Sequence, residues 1–167
     1  MSTLTQVEQQ KISDWLATHD LPSGLGSEEA ACSIASINLA LTGCLTDAIP
    51  YCMSHVIGKW IIGVQDAMPH DMRNSTEWKR LIPLAAGTGR SCEAARMYKI
   101  MNWVWSRVLP ELLPLAQSGG FGDAWQTMLD EKTATAAYAA RAAADARLQF
   151  WANVNPCQLL VDLIDTE

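Results

Sequence analysis

Residues that begin helices recur along this chain, whereas strand signals are almost absent. Thr5, Ser54 and Ser75 each stand directly before a segment with helical apolar spacing, and their side chains can accept hydrogen bonds from the first free amides of a helix. Thr5 and Glu8 also have the spacing of a capping box. The sequence therefore predicts an all-α, single-domain bundle over residues 1–167, with about six or seven helices.

Caps, prolines and glycines set the predicted helix boundaries. The run Val56–Ile62 would also suit a strand by residue type, but helix is preferred because no partner strand is visible. Residues 1–22 form either a docked helix or a detachable N-terminal arm, and Pro69–Asn74 is predicted to be a turn. The predicted helices are Thr5–His19, Ser27–Leu41, Ser54–Ala67, Ser75–Ala86, Ser91–Gln117, Asp123–Ala152 and a short last one from Asn155-Pro156.

The segment Ser91–Gln117 is predicted to be the central apolar helix. A helix that is apolar on most sides is usually buried, while Pro110 and Pro114 should bend or interrupt its far end. The alanine-rich run between Thr133 and Arg147 predicts a second helix that its neighbours can approach closely. One face of the central helix has apolar residues at spacings of four and three, namely Met97, Met101, Val104, Val108, Leu112 and Leu115.

Positive charge is concentrated in one part of an acidic chain. Residues 73–107 hold seven of the twelve basic residues and two acidic ones, so this segment carries about +5 and the remainder about −11, for a formal net charge of −6. The acidic balance argues against general nucleic-acid binding, which usually requires a basic domain. The local basic segment instead favours an acidic protein partner or an anionic ligand.

Trp103 marks the first candidate site, because it lies one helical turn from both Lys99 and Arg107. Cations beside a tryptophan can stack on its ring, and exposed tryptophan and arginine are typical of interface hot spots. Together with Arg96, these three residues form a predicted partner-binding surface for a protein with an acidic surface. The alternative is that a second layer of helices covers Trp103.

A glycine-containing turn is the second candidate. It resembles the end of a phosphate-binding loop, but Leu84 stands where that motif needs a glycine and Arg90 replaces the lysine. What remains is an anion site at a helix N-terminus, or else an ordinary turn between helices. Its residues are Gly87, Thr88, Gly89, Arg90 and Ser91.

Metal and catalytic signals are sparse. Cys52 and His55 are three residues apart and could share a helix face, and His70 or a carboxylate could join them to bind zinc. The chain lacks the paired cysteine and histidine motifs of zinc sites and the G-x-S-x-G motif of serine hydrolases. No cofactor is predicted, and a binding protein is favoured over an enzyme.

The expected compartment is the cytoplasm. The first five residues carry neither a basic nor an apolar run of a secretory signal, and the best membrane candidate, Val56–Val64, is too short to span a bilayer. Five cysteines without repeating spacing are typical of reduced thiols. We therefore expect a soluble protein whose oligomeric state is left open.

Several strings resemble small bacterial all-helical proteins with alanine-rich C-terminal helices. The resemblance covers at most residues 33–157 and implies a bacterial, cytoplasmic protein, but no activity or site residue follows from it. The sequence thus predicts a non-enzymatic adaptor or regulatory partner of another bacterial protein. The alternative is an anion-binding or phosphorylated-ligand-binding protein, or a small enzyme, that uses the turn at 87–91. The strings are Ser36–Gly43, Thr46–Pro50, Val56–Trp60 and Leu84–Gly89.

Overall fold

The computed structural model describes residues 4–118, 122–132 and 154–166. Over these ranges the protein is all-α without a strand, which confirms the predicted fold class. The helices are α1 (Gln6–Thr18), α2 (Ser33–Thr42), α3 (His55–Ala67), α4 (His70–Arg73), α5 (Thr76–Ala86), α6 (Glu93–Trp103), α7 (Leu109–Glu111), α8 (Leu113–Ser118), α9 (Gly122–Glu131) and α10 (Pro156–Ile164), with a π-helical turn, Val104–Val108, between α6 and α7.

The N-terminal helix is docked on the body. The predicted capping box is confirmed, because the Glu8 amide donates to Thr5 Oγ1 at 3.2 Å and the Thr5 amide donates to the Glu8 carboxylate at 2.8 Å. Ile12 and Leu16 of α1 are buried in the core, and α1 packs against α2 and α5. Burial of two large apolar side chains favours the docked position by about 2 kcal/mol for each residue.

The start of α2 differs from the prediction at Ser27. Residues 26–31 instead form a tight turn, in which the Ser27 amide donates to Ala30 O at 2.7 Å and Gly26 has a φ of 82°. A side chain at Gly26 would overlap the Ala30 carbonyl oxygen, so glycine is required there. The helix begins only after Cys32, whose sulfur accepts from the Ala35 amide at 3.4 Å.

The caps predicted for α3 and α5 are confirmed. Ser54 Oγ accepts from the Ile57 amide at 3.2 Å, and Ser75 Oγ accepts from the Trp78 amide at 3.1 Å. The ambiguous run Val56–Ile62 is therefore helical. Pro83 lies inside α5, which nevertheless continues to Ala86. A single helical turn, α4, stands where the sequence predicted a turn.

Most buried side chains of the core come from α1, α2, α3, α5 and α10, which corrects the prediction that Ser91–Gln117 is a buried central helix. In α6, Met97 and Tyr98 are exposed by 47% and 74%, and the fully buried residue is Arg96. The buried apolar residues of the segment lie near its end, among them Val108 and Leu109. The apolar spacing was real, but it places most of its residues at the edge of the core.

The predicted interruption of this segment is confirmed, and it has a local cause. Pro110 has no N–H to donate to the Ser106 carbonyl, so the α-helical hydrogen-bond ladder is broken there. The Leu109 amide donates to Val104 O, five residues back, within the π-helical turn. A short α7 and a further break at Leu112 follow.

The last helix, α10, matches the prediction. Asn155 caps α10 by accepting from the Gln158 amide at 3.2 Å, and Pro156 occupies the first turn. Leu159, Leu160 and Leu163 are buried. Helix α9 begins near the predicted Asp123 but ends at Glu131, and Lys132 follows in a turn with a φ of 52°, so the predicted continuous helix to Ala152 is interrupted there. The alanine-rich run that follows lies outside the described residues.

Candidate functional site

A polar groove of about 480 Å³ lies between α10 and the wall formed by α6 and the π-helical turn. We call it the α6–α10 groove. Its first wall consists of Lys99, Asn102, Trp103, Ser106 and Arg107. Its second wall consists of Val154, Asn155, Gln158, Leu159 and Asp162.

Three of the four predicted partner-binding residues line this groove. Lys99, Trp103 and Arg107 follow one another at spacings of four, so they form one row along the first wall. Lys99 Nζ donates to the main-chain oxygen of Asp162 at 2.9 Å. Arg107 is exposed and has no hydrogen-bond or ion-pair partner within the described part of the chain.

Trp103 is half-buried and fixed in place. Its Nε1 donates to Val154 O at 2.6 Å, and its ring packs edge to face against Trp60, with ring centres 6.0 Å apart. No cation stacks on this ring among the described residues, so the cation–π contact suggested by the sequence is absent there. Trp103 therefore contributes a rigid apolar surface between two separate cations.

The second wall presents amide groups and one carboxylate. Gln158 Nε2 donates to Asp162 Oδ1 at 3.1 Å, so this carboxylate is already engaged on its own helix. Asn155 and Gln158 are exposed. The wall can therefore form hydrogen bonds with a bound chain, while Asp162 lowers the net positive charge at the end of the groove that contains Lys99.

Two unusual backbone conformations lie along the groove. The π-helical turn carries Ser106 and Arg107, and π-helical turns occur frequently at functional sites. On the second wall, Asn155 has a φ of 42°, in the left-handed region that a residue other than glycine occupies at a cost. Both irregularities meet at one surface, which makes the groove the leading candidate site.

Arg96 does not belong to this surface, so its predicted place there is wrong. Only 2% of the residue is exposed, and its guanidinium donates to four main-chain carbonyl oxygens. These hydrogen bonds join the turn after α5 to the end of α10, so Arg96 stabilises the packing of these two segments. The acceptors are Leu163 O at 3.1 Å, Gly89 O at 3.1 Å, Thr88 O at 3.1 Å and Thr166 O at 3.4 Å.

The predicted anion site at Gly87–Ser91 is largely engaged within the protein. The Gly89 amide donates to Cys52 O at 2.8 Å, and Thr88 Oγ1 accepts from the Ser54 amide at 3.1 Å while donating to Ala85 O at 2.7 Å. Arg90 Nε donates to Met53 O at 3.4 Å. This turn therefore connects α5 to the loop before α3, as an ordinary interhelical turn would, although Arg90 and Ser91 are exposed.

The sequence did not identify Glu93, whose carboxylate lies at the N-terminus of α3. It accepts hydrogen bonds from Ser54 Oγ at 3.0 Å and from the His55 and Val56 amides at 2.9 Å each. Partial burial tends to raise the pKa of this carboxyl, but these hydrogen bonds and the charge of Arg96 outweigh it, so the pKa is lowered. An internal anion thus occupies a helix N-terminus.

The weak metal candidates do not form a cluster. Cys52 is buried, and this burial raises the pKa of its thiol, whereas His55 and His70 are exposed. His70 Nδ1 lies 3.4 Å from an Asp71 carboxylate oxygen. Across the three described ranges, no three metal-binding side chains come together.

The second wall is what sequence reasoning missed. Asn102 and Ser106 could have been found, because they share a helical face with Lys99. Asn155, Gln158 and Asp162 carry no comparable signal, since they reach the groove only when α10 packs against α6.

The fold and the groove define an all-α protein with a polar, cation-containing surface groove. Comparisons with protein-family models, with curated proteins and with solved structures find no match. Among the helices described, none combines the length and apolar character needed to cross a bilayer.

Proposed function

We propose that this protein is a non-enzymatic interaction module that binds an acidic segment of another protein in the α6–α10 groove. It would act as an adaptor or a regulatory partner. The observation that carries the proposal is Arg107, a cation in the groove without a partner among the described residues. A guanidinium has five donors in a planar fork and is well suited to a carboxylate.

Lys99 and Trp103 support the same proposal. An ammonium group has three donors, and Lys99 uses one on Asp162 O, which leaves two for a ligand. The ring of Trp103 is already fixed by its contacts, so binding a partner costs little side-chain entropy at this position. Preorganised aromatic residues of this kind are typical of interface hot spots.

The groove lining favours binding over catalysis. Its described residues include no histidine or cysteine that could serve with Ser106 as a nucleophile–base pair. The compartment we propose for this binding is a bacterial cytoplasm, in line with five cysteines whose irregular spacing is typical of reduced thiols.

We expect Arg107→Glu to weaken capture of the physiological partner by about tenfold, since one charge-assisted contact contributes on the order of 1.4 kcal/mol. The measurement is quantitative affinity purification from the producing cells with tagged wild type and variant. The matched control is Arg80→Glu, because Arg80 is an exposed arginine on α5 outside the groove.

The decisive result is a protein retained by wild type and by Arg80→Glu but depleted with Arg107→Glu, while all three melt at similar temperatures. Equal retention of the partner by Arg107→Glu and wild type would contradict the proposal that the α6–α10 groove is the binding site. Equal depletion by both variants would show that net charge, rather than this groove, governs capture.

A further inference from the structure

The row Lys99–Trp103–Arg107 has a spacing that matches an extended peptide. Four residues of α-helix advance by about 6 Å, so Lys99 and Trp103 stand about that far apart along the wall, and the π-helical turn carries Arg107 one turn further. In an extended chain, side chains two positions apart point the same way and are separated by about 6.6 Å. Side chains at positions 1, 3 and 5 of such a chain would therefore meet the three residues in order.

The second wall of the groove favours an extended chain over a helix. A helix already uses its main-chain N–H and C=O groups in its own hydrogen bonds, whereas an extended peptide leaves them free to bind a partner. The exposed amides of Asn155 and Gln158 on the opposite wall can hydrogen-bond to the free main chain of an extended peptide.

We infer that the groove recognises an extended peptide segment with acidic residues at positions 1 and 5 and an apolar residue at position 3. This inference rests on the proposed function and specifies its ligand. The two carboxylates pair with Lys99 and Arg107, and the central apolar side chain packs on Trp103. Contact with Arg107 dominates, because the Asp162 carboxylate partly offsets Lys99 at the other end.

The test uses short fluorescent peptides and fluorescence anisotropy with the full-length protein. The reference peptide has aspartate at positions 1 and 5, leucine at 3 and serine elsewhere, so its charge pattern reads the same in both directions. Its comparison peptide has the same composition with the aspartates at positions 1 and 2. We expect the reference to bind about tenfold more tightly, since the comparison can satisfy only one cation.

A charge exchange gives an independent readout. Two further peptides carry lysine in place of one aspartate, at position 1 in the first and at position 5 in the second. One of the two should bind the Arg107→Glu variant about tenfold more tightly than the reference peptide does. Lys99→Gln should weaken the reference peptide less than Arg107→Gln does. Arg80→Glu serves as the control, with unchanged affinity expected.

The outcomes distinguish a failure of this inference from a failure of the proposed function. If the reference and comparison peptides bind equally while Arg107→Glu still weakens binding of the peptides and of the partner, the 1-3-5 spacing is wrong but the groove is still the binding site. If acidic peptides do not bind and partner capture is insensitive to Arg107→Glu, both proposals fail. A fixed helical peptide with acidic residues eight positions apart that binds more tightly than the reference would overturn the extended geometry.

Discussion

Replacing Arg96 with alanine is expected to lower the stability of the protein by about 3–5 kcal/mol, the largest effect of any substitution proposed here. The side chain is 2% exposed and serves four carbonyl oxygens at once. Its removal leaves buried acceptors without donors, and each such group costs about 1–3 kcal/mol. For a chain of this length, the melting temperature should fall by roughly 10 °C.

Thermal and denaturant unfolding measure this loss, and Arg80→Ala is the control. Arg80 is exposed, so its removal should change stability by less than about 0.5 kcal/mol. Arg96→Lys should recover only part of the stability, because an ammonium has three donors and lacks the planar fork. An Arg96→Ala protein as stable as wild type would show that the guanidinium does not hold these segments together.

Replacing Glu93 with glutamine is expected to destabilise the protein by about 2 kcal/mol at neutral pH. The carboxylate accepts from Ser54 Oγ and from the His55 and Val56 amides. A glutamine oxygen is neutral and cannot serve all three donors as well, and hydrogen bonds to charged groups contribute about 1.5–3 kcal/mol. The melting temperature should fall by roughly 4–8 °C.

The stabilisation by Glu93 should depend on pH. Because the folded-state pKa of Glu93 is lowered, the contribution is present above the pKa of an unfolded glutamate, about 4.3. It is lost as the pH falls through the folded pKa. Protonated Glu93 resembles glutamine, so the difference in melting temperature between wild type and Glu93→Gln should shrink below about pH 4.

Melting curves from pH 3 to pH 7 test this dependence, with Glu28→Gln as the control. Glu28 is exposed and lies in the turn before α2, outside any helix. Its substitution should leave the curves nearly superimposed. A Glu93→Gln difference that stayed constant down to pH 3 would mean that the charge of the carboxylate contributes little.

Local signals account for the parts of the fold that the sequence predicted. The caps at Thr5, Ser54, Ser75 and Asn155 act within a few residues, so each was readable from its own neighbourhood. The helix start predicted at Ser27 was wrong because residues 26–31 form a turn instead, and this turn depends on the positive φ of Gly26. A cap residue alone does not say whether a tight turn competes with it.

The candidate site was only half predictable for a similar reason. The spacing of Lys99, Trp103 and Arg107 placed them on one face, but Arg96 looked like another member of the same basic surface. Its acceptors at Leu163 and Thr166 lie about 70 residues away, and no local pattern indicates them. The second wall of the groove likewise depends on the packing of α10 against α6.

Site-specific photo-crosslinking tests most directly the claim that the α6–α10 groove is the binding surface. A photoreactive amino acid at Ser106, an exposed residue of the groove, is compared in the producing cells with the same group at Ser23, an exposed residue before α2. The account predicts a crosslinked protein from Ser106 that is absent from Ser23 and is lost when Arg107→Glu is added. Equal crosslinking from both positions, or a Ser106 product that survives Arg107→Glu, would contradict it.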